Sequence, residues 1–300
     1  MSRLRISIVE YLNTAPLVWG FTDGPLRGRY DLSFAVPSQC AEALRRGAAD
    51  VGIIPAIEYQ RMEGMVVLPG MAVAAKGEVR SILVVSRKPI ELARRIALDR
   101  GSRSSVALVR LLCARHWGIQ PEFADADPDP AAMLANADAA LVIGDPALRV
   151  ALKMEALMNK PVVSGEFCCG GDPSEQPVPG VETLFLYDVA HQWREMTGRP
   201  CVLALWVARR DAATSEVIAD FVASKEYGLE RIGEIAEGAA LKLDLPARLL
   251  ERYLRENIDF SLDDENQAGL ELYFRLCAEE KLIPRAKPVE FAAAEARVSR

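Results

Sequence analysis

The feature that most restricts this chain is a repeating order in which a short apolar, β-branched run gives way to an amphipathic helix and then to another such run. Leu4 to Val9 is the first run, and it ends in the polar segment Glu10-Tyr11-Leu12-Asn13-Thr14. Thr14 ahead of Pro16 has the form of a helix N-cap with proline in the first turn. Asp31 to Val36 reads as the next strand. A helix starting near Ser38 ends at Arg45-Arg46-Gly47, where cations suit the negative helix end and glycine suits its stop, and Val51 to Ile54 follows as a third strand. Such a β-α-β order requires parallel strands covered by helices.

The pattern then repeats. Strands Ile96 to Asp99, Glu122 to Ala124 and Ala139 to Ile143 surround a helix, Ser104 to Trp117, that places Val106, Val109 and Cys113 on one face. The segment Ala49-Asp50-Val51-Gly52-Ile53-Ile54-Pro55 is echoed in kind by Ala137 to Asp145, so that each copy brings the carboxyl end of a buried strand toward a crevice of the sort where open parallel sheets hold ligands. A chain of 300 residues, 50% of them hydrophobic, is long enough to divide its core in two. Two longer apolar runs with polar flanks, Val79 to Val85 and Cys201 to Val207, are expected to carry the chain between the halves. Lobe 1 would hold residues 1–80 and 206–300 and lobe 2 residues 86–200, with crossings at 81–85 and 201–205. After the second crossing the pattern is helical, and Leu270, Tyr273, Phe274 and Cys277 repeat at core spacing.

Several chemistries lose support. With 36 Lys+Arg against 42 Asp+Glu the formal charge is -6, which gives no general attraction to nucleic acid or to an anionic membrane. The first apolar run stops at Glu10, too soon for a signal peptide or a span, and six cysteines without a C-x-x-C pair suit a reducing compartment, so a cytoplasmic location is expected. His116 and His191 sit beside Trp117 and near Trp193 on predicted helices and read as structural. No H-E-x-x-H, Cys/His cluster, G-x-S-x-G or phosphate loop is found, so neither a metal nor a nucleotide cofactor is expected. Cys168-Cys169 falls in the glycine-proline stretch Glu166 to Glu182, which reads as a loop with incidental thiols. The acids between positions 121 and 145 read as a solvated face.

What remains is a set of uncharged hydrogen-bonding residues at strand and helix junctions. Asn13 and Thr14 follow the first strand, Ser81 opens the first crossing, and Ser102, Ser104 and Ser105 precede or begin the amphipathic helix. Open N–H groups at a helix start, joined by serine hydroxyls, can hold a carboxylate without a cation. One at a time these are ordinary cap or turn residues; their recurrence at several strand ends is the stronger signal.

These junctions also carry a resemblance. Glu10-Tyr11-Leu12-Asn13-Thr14-Ala15-Pro16-Leu17 resembles the S-Y-L-N-T-x-P-L signature of the menaquinone-biosynthetic chorismate dehydratases of the futalosine route. Similar matches run through Ala49-Asp50-Val51-Gly52 with Ile57-Glu58-Tyr59, Ser81 to Ser86, Ser104 to Leu108, Ile143 to Leu148, and Tyr187-Asp188-Val189-Ala190 with Trp193, Thr197-Gly198-Arg199-Pro200 and Ala204-Leu205-Trp206. The chain departs from the family at Glu10, where Ser is common, at Pro55-Ala56, where Ser-Ser is frequent, and at Ser104, where Thr is common. The resemblance implies a type II periplasmic-binding-protein-like α/β fold, with two lobes joined by two crossing strands and the ligand between them. It also implies a hydro-lyase that converts chorismate to 3-[(1-carboxyvinyl)oxy]benzoate and water with no cofactor, acting as a monomer or homodimer.

Under that reading Asn13 and Ser81 are the catalytic candidates. Tyr11, Thr14, Ser102, Ser104, Ser105, Gly144, Asp145 and Glu58 are expected to bind substrate. The substrate's enolpyruvyl carboxylate is the expected base, with Glu58 and Asp145 as alternatives on the cleft rim. Two rival functions share the architecture: a cytosolic solute-binding protein for a small carboxylate, and the sibling 1,4-dihydroxy-6-naphthoate-forming enzyme.

Overall fold

The alternating runs build two sheets in the computed structural model, which describes residues 3–158 and 184–293. The strands are β1 (Arg5–Val9), β2 (Asp31–Ala35), β3 (Val51–Pro55), β4 (Met65–Ala75), β5 (Ile82–Ser86), β6 (Arg95–Asp99), β7 (Glu122–Ala126), β8 (Ala139–Ile143), β9 (Phe185–Asp188) and β10 (Cys201–Arg209). One sheet has the order β2-β1-β3-β10-β4 and the other β7-β6-β8-β5-β9. The helices are α1 (Ala15–Thr22), α2 (Pro37–Arg45), α3 (Ala56–Tyr59), α4 (Ser104–Arg115), α5 (Pro130–Asn136), α6 (Gly144–Met158), α7 (Val189–Thr197), α8 (Ser215–Leu229), α9 (Ile232–Leu243), α10 (Ala247–Arg252) and α11 (Asp264–Glu279). None of the described helices is long and apolar enough to cross a membrane.

The two sheets repeat one plan. β3 and β8, the strands of the sequence echo, take the central place in each, and every residue of both is buried. This explains their continuous apolar composition, since a strand covered on both faces has no solvated side on which to alternate. Beside each central strand runs an antiparallel neighbour, β10 against β3 and β5 against β8.

Those neighbours correct the expected crossings. β5 pairs with β8 and β9, and β10 with β3 and β4, so each is hydrogen-bonded along both edges within one sheet. A strand held that way cannot also span to the other lobe. The chain passes between sheets in the segments just before, from Ala75 to Ile82 and from Thr197 to Cys201. One carboxylate ties the first passage to the start of α7. Asp188 caps α7 by accepting from Ala190 and His191, and it also accepts from the backbone N–H of Val79 at 3.1 Å and of Arg80 at 2.6 Å. Its burial pushes the carboxyl up to about 6, against the combined effect of those N–H bonds.

β4 is a strand that the sequence reading missed. Pro69-Gly70 interrupts its apolar run, yet the structure keeps the strand going, with Gly70 at φ +74° and register shifts against β10. Toward the C-terminus the helical expectation is met. Leu270, Tyr273, Phe274 and Cys277 of α11 are buried, and Tyr273 meets Trp193 of α7 edge-on at 5.9 Å.

Candidate active site

The helix-starting ends of the two sheets face one another across the gap between lobes. From lobe 1 come Tyr11 and the 3-10 turn Leu12–Thr14, which joins β1 to α1. From lobe 2 come Ser102 after β6, Ser104 and Ser105 at the start of α4, and Gly144 directly after β8. Ser81 arrives from the passage ahead of β5. Tyr11, Asn13, Thr14, Ser81, Ser102, Ser104, Ser105 and Gly144 all line one small pocket of about 50 Å³, walled otherwise by apolar residues such as Val73 and Leu203. The described residues that line it carry no charge.

Local folding decides what each group offers. Thr14 stands at the N-cap of α1 but does not cap it; its hydroxyl donates to Val9 O at 2.6 Å and to Tyr11 O at 2.8 Å, which corrects the cap reading. Ser104 is the first residue of α4. The N-cap there is Arg103, which makes no side-chain cap, so the first-turn N–H groups are left for whatever enters beside Ser104 and Ser105. Ser104 Oγ accepts from Ile57 N at 3.2 Å, and its carbonyl accepts from the Tyr273 hydroxyl at 3.0 Å. Ser81 is 1% exposed, and its Oγ has no well-aligned hydrogen-bond partner in the protein. A buried hydroxyl in that condition is costly unless something in the pocket completes it.

The lobes meet around this pocket. Leu12 N donates to Asp145 at 2.9 Å, Ser38 N donates to Gly101 O at 3.1 Å, and Arg103 pairs with Glu58 at 3.1 Å. Tyr11 of one lobe lies flat on Gly144 of the other. A Cβ at Gly144, where φ is +63°, would come within 2.6 Å of the Tyr11 ring. That packing explains why glycine follows β8.

Two predicted site residues are elsewhere. Asp145 does not line the pocket; it bridges the lobes through Leu12 N and borders a separate outer groove with Trp19 and Lys242. Burial pushes its carboxyl up. Glu58 is fully buried and walled off, paired with Arg45, with Arg61 at 2.7 Å and with Arg103. Burial works to raise its carboxyl, but the Arg45 hydrogen bond, the Arg103 charge and Arg61 outweigh it and hold the group below the usual carboxylate range. Neither acid is placed to act as a rim base. Both are spent on interlobe contacts, and the residues opposite them come from distant parts of the chain that spacing alone does not reveal.

Other expectations sort similarly. His116 and His191 are outside the pocket, near Glu195 at 3.9 Å and 3.4 Å. Glu122, Asp125, Asp127 and Asp129 are exposed, as a solvated face requires, whereas Asp138 accepts from Arg94 and Arg95 N–H and pairs with Lys88. Among the described residues no group of three metal-ligating side chains occurs. The Cys168-Cys169 loop lies outside the described residues.

An uncharged pocket rich in donors can hold a small carboxylate and stabilise negative charge that spreads within it. Solved structures with a similar fold include protein AF1704 of Archaeoglobus fulgidus, at 18% identity, a TM-score of 0.70, and coverage of 93% of this chain and 98% of that one. Another is the periplasmic aliphatic sulphonate binding protein SsuA of Escherichia coli, at 19% identity and a TM-score of 0.59 over 94% of both chains. These likenesses establish the type II periplasmic-binding-protein-like fold. In sequence, the chain is 26% identical over 272 residues to a chorismate dehydratase of Thermus thermophilus, covering 89% of this chain and 93% of that protein. Residues 4–279 match the family model described as menaquinone biosynthesis, VitK2_biosynth. A match from the first strand to the end of α11 takes in both lobes and every pocket residue named above, and the protein therefore belongs to the menaquinone-biosynthesis family.

Proposed function

We propose that the protein is a chorismate dehydratase, a hydro-lyase of the futalosine route that converts chorismate to 3-[(1-carboxyvinyl)oxy]benzoate and water in the cytoplasm. The observation that carries this reading is the convergence of the unpartnered Ser81 hydroxyl with Asn13, Ser104 and Ser105 on one uncharged pocket. The 26% identical relative named a chorismate dehydratase supports it.

The chemistry suits such a pocket. The C3 hydrogen of chorismate is acidified through the diene by the ring carboxylate, and the C4 hydroxyl leaves from the neighbouring carbon. Loss of that proton and that hydroxide together releases one water and makes the ring aromatic. The protein has to grip a dianion, accept charge spreading into the ring carboxylate, and keep bulk water out. Ser104, Ser105 and the first-turn N–H groups of α4 take one carboxylate. Ser81 and the Asn13 amide face the other, or the departing hydroxyl; an amide both donates and accepts, so it can orient a hydroxyl without acting as base. No carboxylate, imidazole or thiol is found among the described lining residues, and the substrate's own enolpyruvyl carboxylate is assigned as the base.

Incubation of the purified protein with chorismate, followed by mass analysis and ultraviolet spectra, tests the reading. The expected product is lighter by one water and has a new aromatic absorbance. Chorismate recovered unchanged but bound would instead indicate a solute-binding protein. Turnover only of a larger futalosine-derived substrate would indicate the naphthoate-forming sibling.

A further inference from the structure

Behind the pocket wall, outside the residues that line it, stands a tyrosine with no role so far. Tyr253 opens a π-helical turn, Tyr253–Asn257, that continues α10 and is 1% exposed. Single π turns insert one extra residue into a helix and turn a side chain toward a place the regular helix would miss. This turn is anchored at both ends to the passage that carries Ser81. Arg252, just before Tyr253, pairs with Glu155, which pairs in turn with Arg80, just before Ser81. At the far end, Asn257 Nδ2 donates to Glu78 O at 3.1 Å. The Tyr253 hydroxyl thereby lies beside two pocket side chains, the Ser81 hydroxyl and the Asn13 amide, without a formed hydrogen bond to Ser81 Oγ. Arg80 is itself in the left-handed region, at φ 59°, a backbone setting uncommon outside glycine.

We propose that Tyr253 is a positioning residue whose hydroxyl sets the rotor of Ser81 and the face of Asn13 presented to the substrate. The inference rests on the dehydratase reading. A serine hydroxyl rotates freely and an amide can be turned over, so neither group by itself decides whether it offers the substrate a donor or an acceptor. A phenol has one hydrogen and can accept as well. When it donates to Ser81 Oγ, the serine hydrogen is left for the pocket; when it accepts from the Asn13 N–H, Oδ1 is turned toward the substrate. Burial keeps the phenol protonated, so it has that hydrogen to give throughout the neutral range.

The test compares Tyr253→Phe, Ser81→Ala and the double variant with wild type on chorismate. Wild-type conversion comes first; its absence sinks the dehydratase reading and leaves this one without a reaction. Given conversion, Tyr253→Phe is expected to lower kcat about 10-fold, with KM within about twofold and the melting temperature nearly unchanged, because only orientation is lost. In the Ser81→Ala background the same change should lower kcat by no more than about threefold, since most of what Tyr253 orients is already gone. Wild-type kinetics in Tyr253→Phe, or an equal loss in both backgrounds, would overturn the inference. If Tyr253→Phe does not fold, a crystal structure of the wild-type protein decides: a Tyr253 hydroxyl more than about 4 Å from both Ser81 Oγ and Asn13 overturns it, and closer contact supports it.

Discussion

The β1–α1 junction of lobe 1 and the β6–α4 junction of lobe 2 occupy equivalent places in their sheets, yet they are completed in different ways. In lobe 1 the Thr14 hydroxyl turns inward to Val9 O and Tyr11 O, so the loop that presents Asn13 is tied to its own strand, with one hydrogen bond, from Leu12 N to Asp145, reaching it from lobe 2. In lobe 2 the corresponding loop is finished from outside. Ser104 Oγ takes the Ile57 N–H, Ser104 O takes the Tyr273 hydroxyl, Gly101 O takes the Ser38 N–H, and Arg103 pairs with Glu58. All four partners belong to lobe 1 elements or to α11, which packs against β10 of that sheet. Most of the lobe 1 half of the pocket is thus fixed within its own lobe, whereas the lobe 2 half depends on contacts that lobe 1 and α11 supply. Substitutions in the first should change chemistry, and substitutions in the second should change the fit of the lobes and stability.

The most severe test removes the latch. Glu58→Ala leaves Arg45, Arg61 and Arg103 facing an emptied buried site, and unfolding should become easier by about 3–5 kcal/mol. Denaturant titration would show it, and a loss below about 1 kcal/mol would mean that the cluster does not hold the lobes. On the lobe 1 side, Asn13→Asp sets a carboxylate against a dianion in an uncharged pocket. kcat/KM should fall about 100- to 1,000-fold while the melting curve stays near wild type. Turnover near wild type would remove Asn13 from the site and with it the difference between the halves.

The carboxylate that holds the first passage supplies a pH test. Asp188 holds its proton up to about 6 when folded, against an ordinary 3.8, so the folded chain binds that proton more tightly than the unfolded chain. Its contribution to stability is full below the unfolded value and is lost as pH rises through the folded one. From about pH 4 to about pH 7, wild type should lose on the order of 3 kcal/mol relative to Asp188→Asn, which cannot titrate. Parallel stability curves for the two proteins across that range would contradict the assignment. The smallest effect is expected at the lobe 2 junction. Ser104→Ala deprives Ile57 N–H of its acceptor and should lower stability by about 1–2 kcal/mol, raising KM more than it lowers kcat. An unchanged KM would place Ser104 with the lobe 1 half.

Much of the fold was readable because burial leaves a linear trace. β3 and β8 show as continuous apolar runs since helices cover both their faces, and the echo between them proved to be the shared central place in two equivalent sheets. β4 was not read as a strand, its apolar run being interrupted by Pro69-Gly70, an irregularity that pairing with β10 absorbs as shifts of register. At the site, Asn13, Ser81, Ser104 and Ser105 were legible as polar residues standing where strands end. Tyr253 left no such mark, since an aromatic on a C-terminal helix looks like any core residue until its neighbours are known.

The sequence by itself determined the alternating elements, the division into two sheets, and the uncharged junctions that end beside one another. These depend on periodicity and on what a residue does within a few positions of itself. Only the tertiary structure decided which acids are consumed in holding the lobes together, where the chain passes between sheets, and which hydroxyl is left without a partner. Such outcomes depend on pairs like Leu12 with Asp145 and Glu58 with Arg103, whose members are brought together by folding across long stretches of chain.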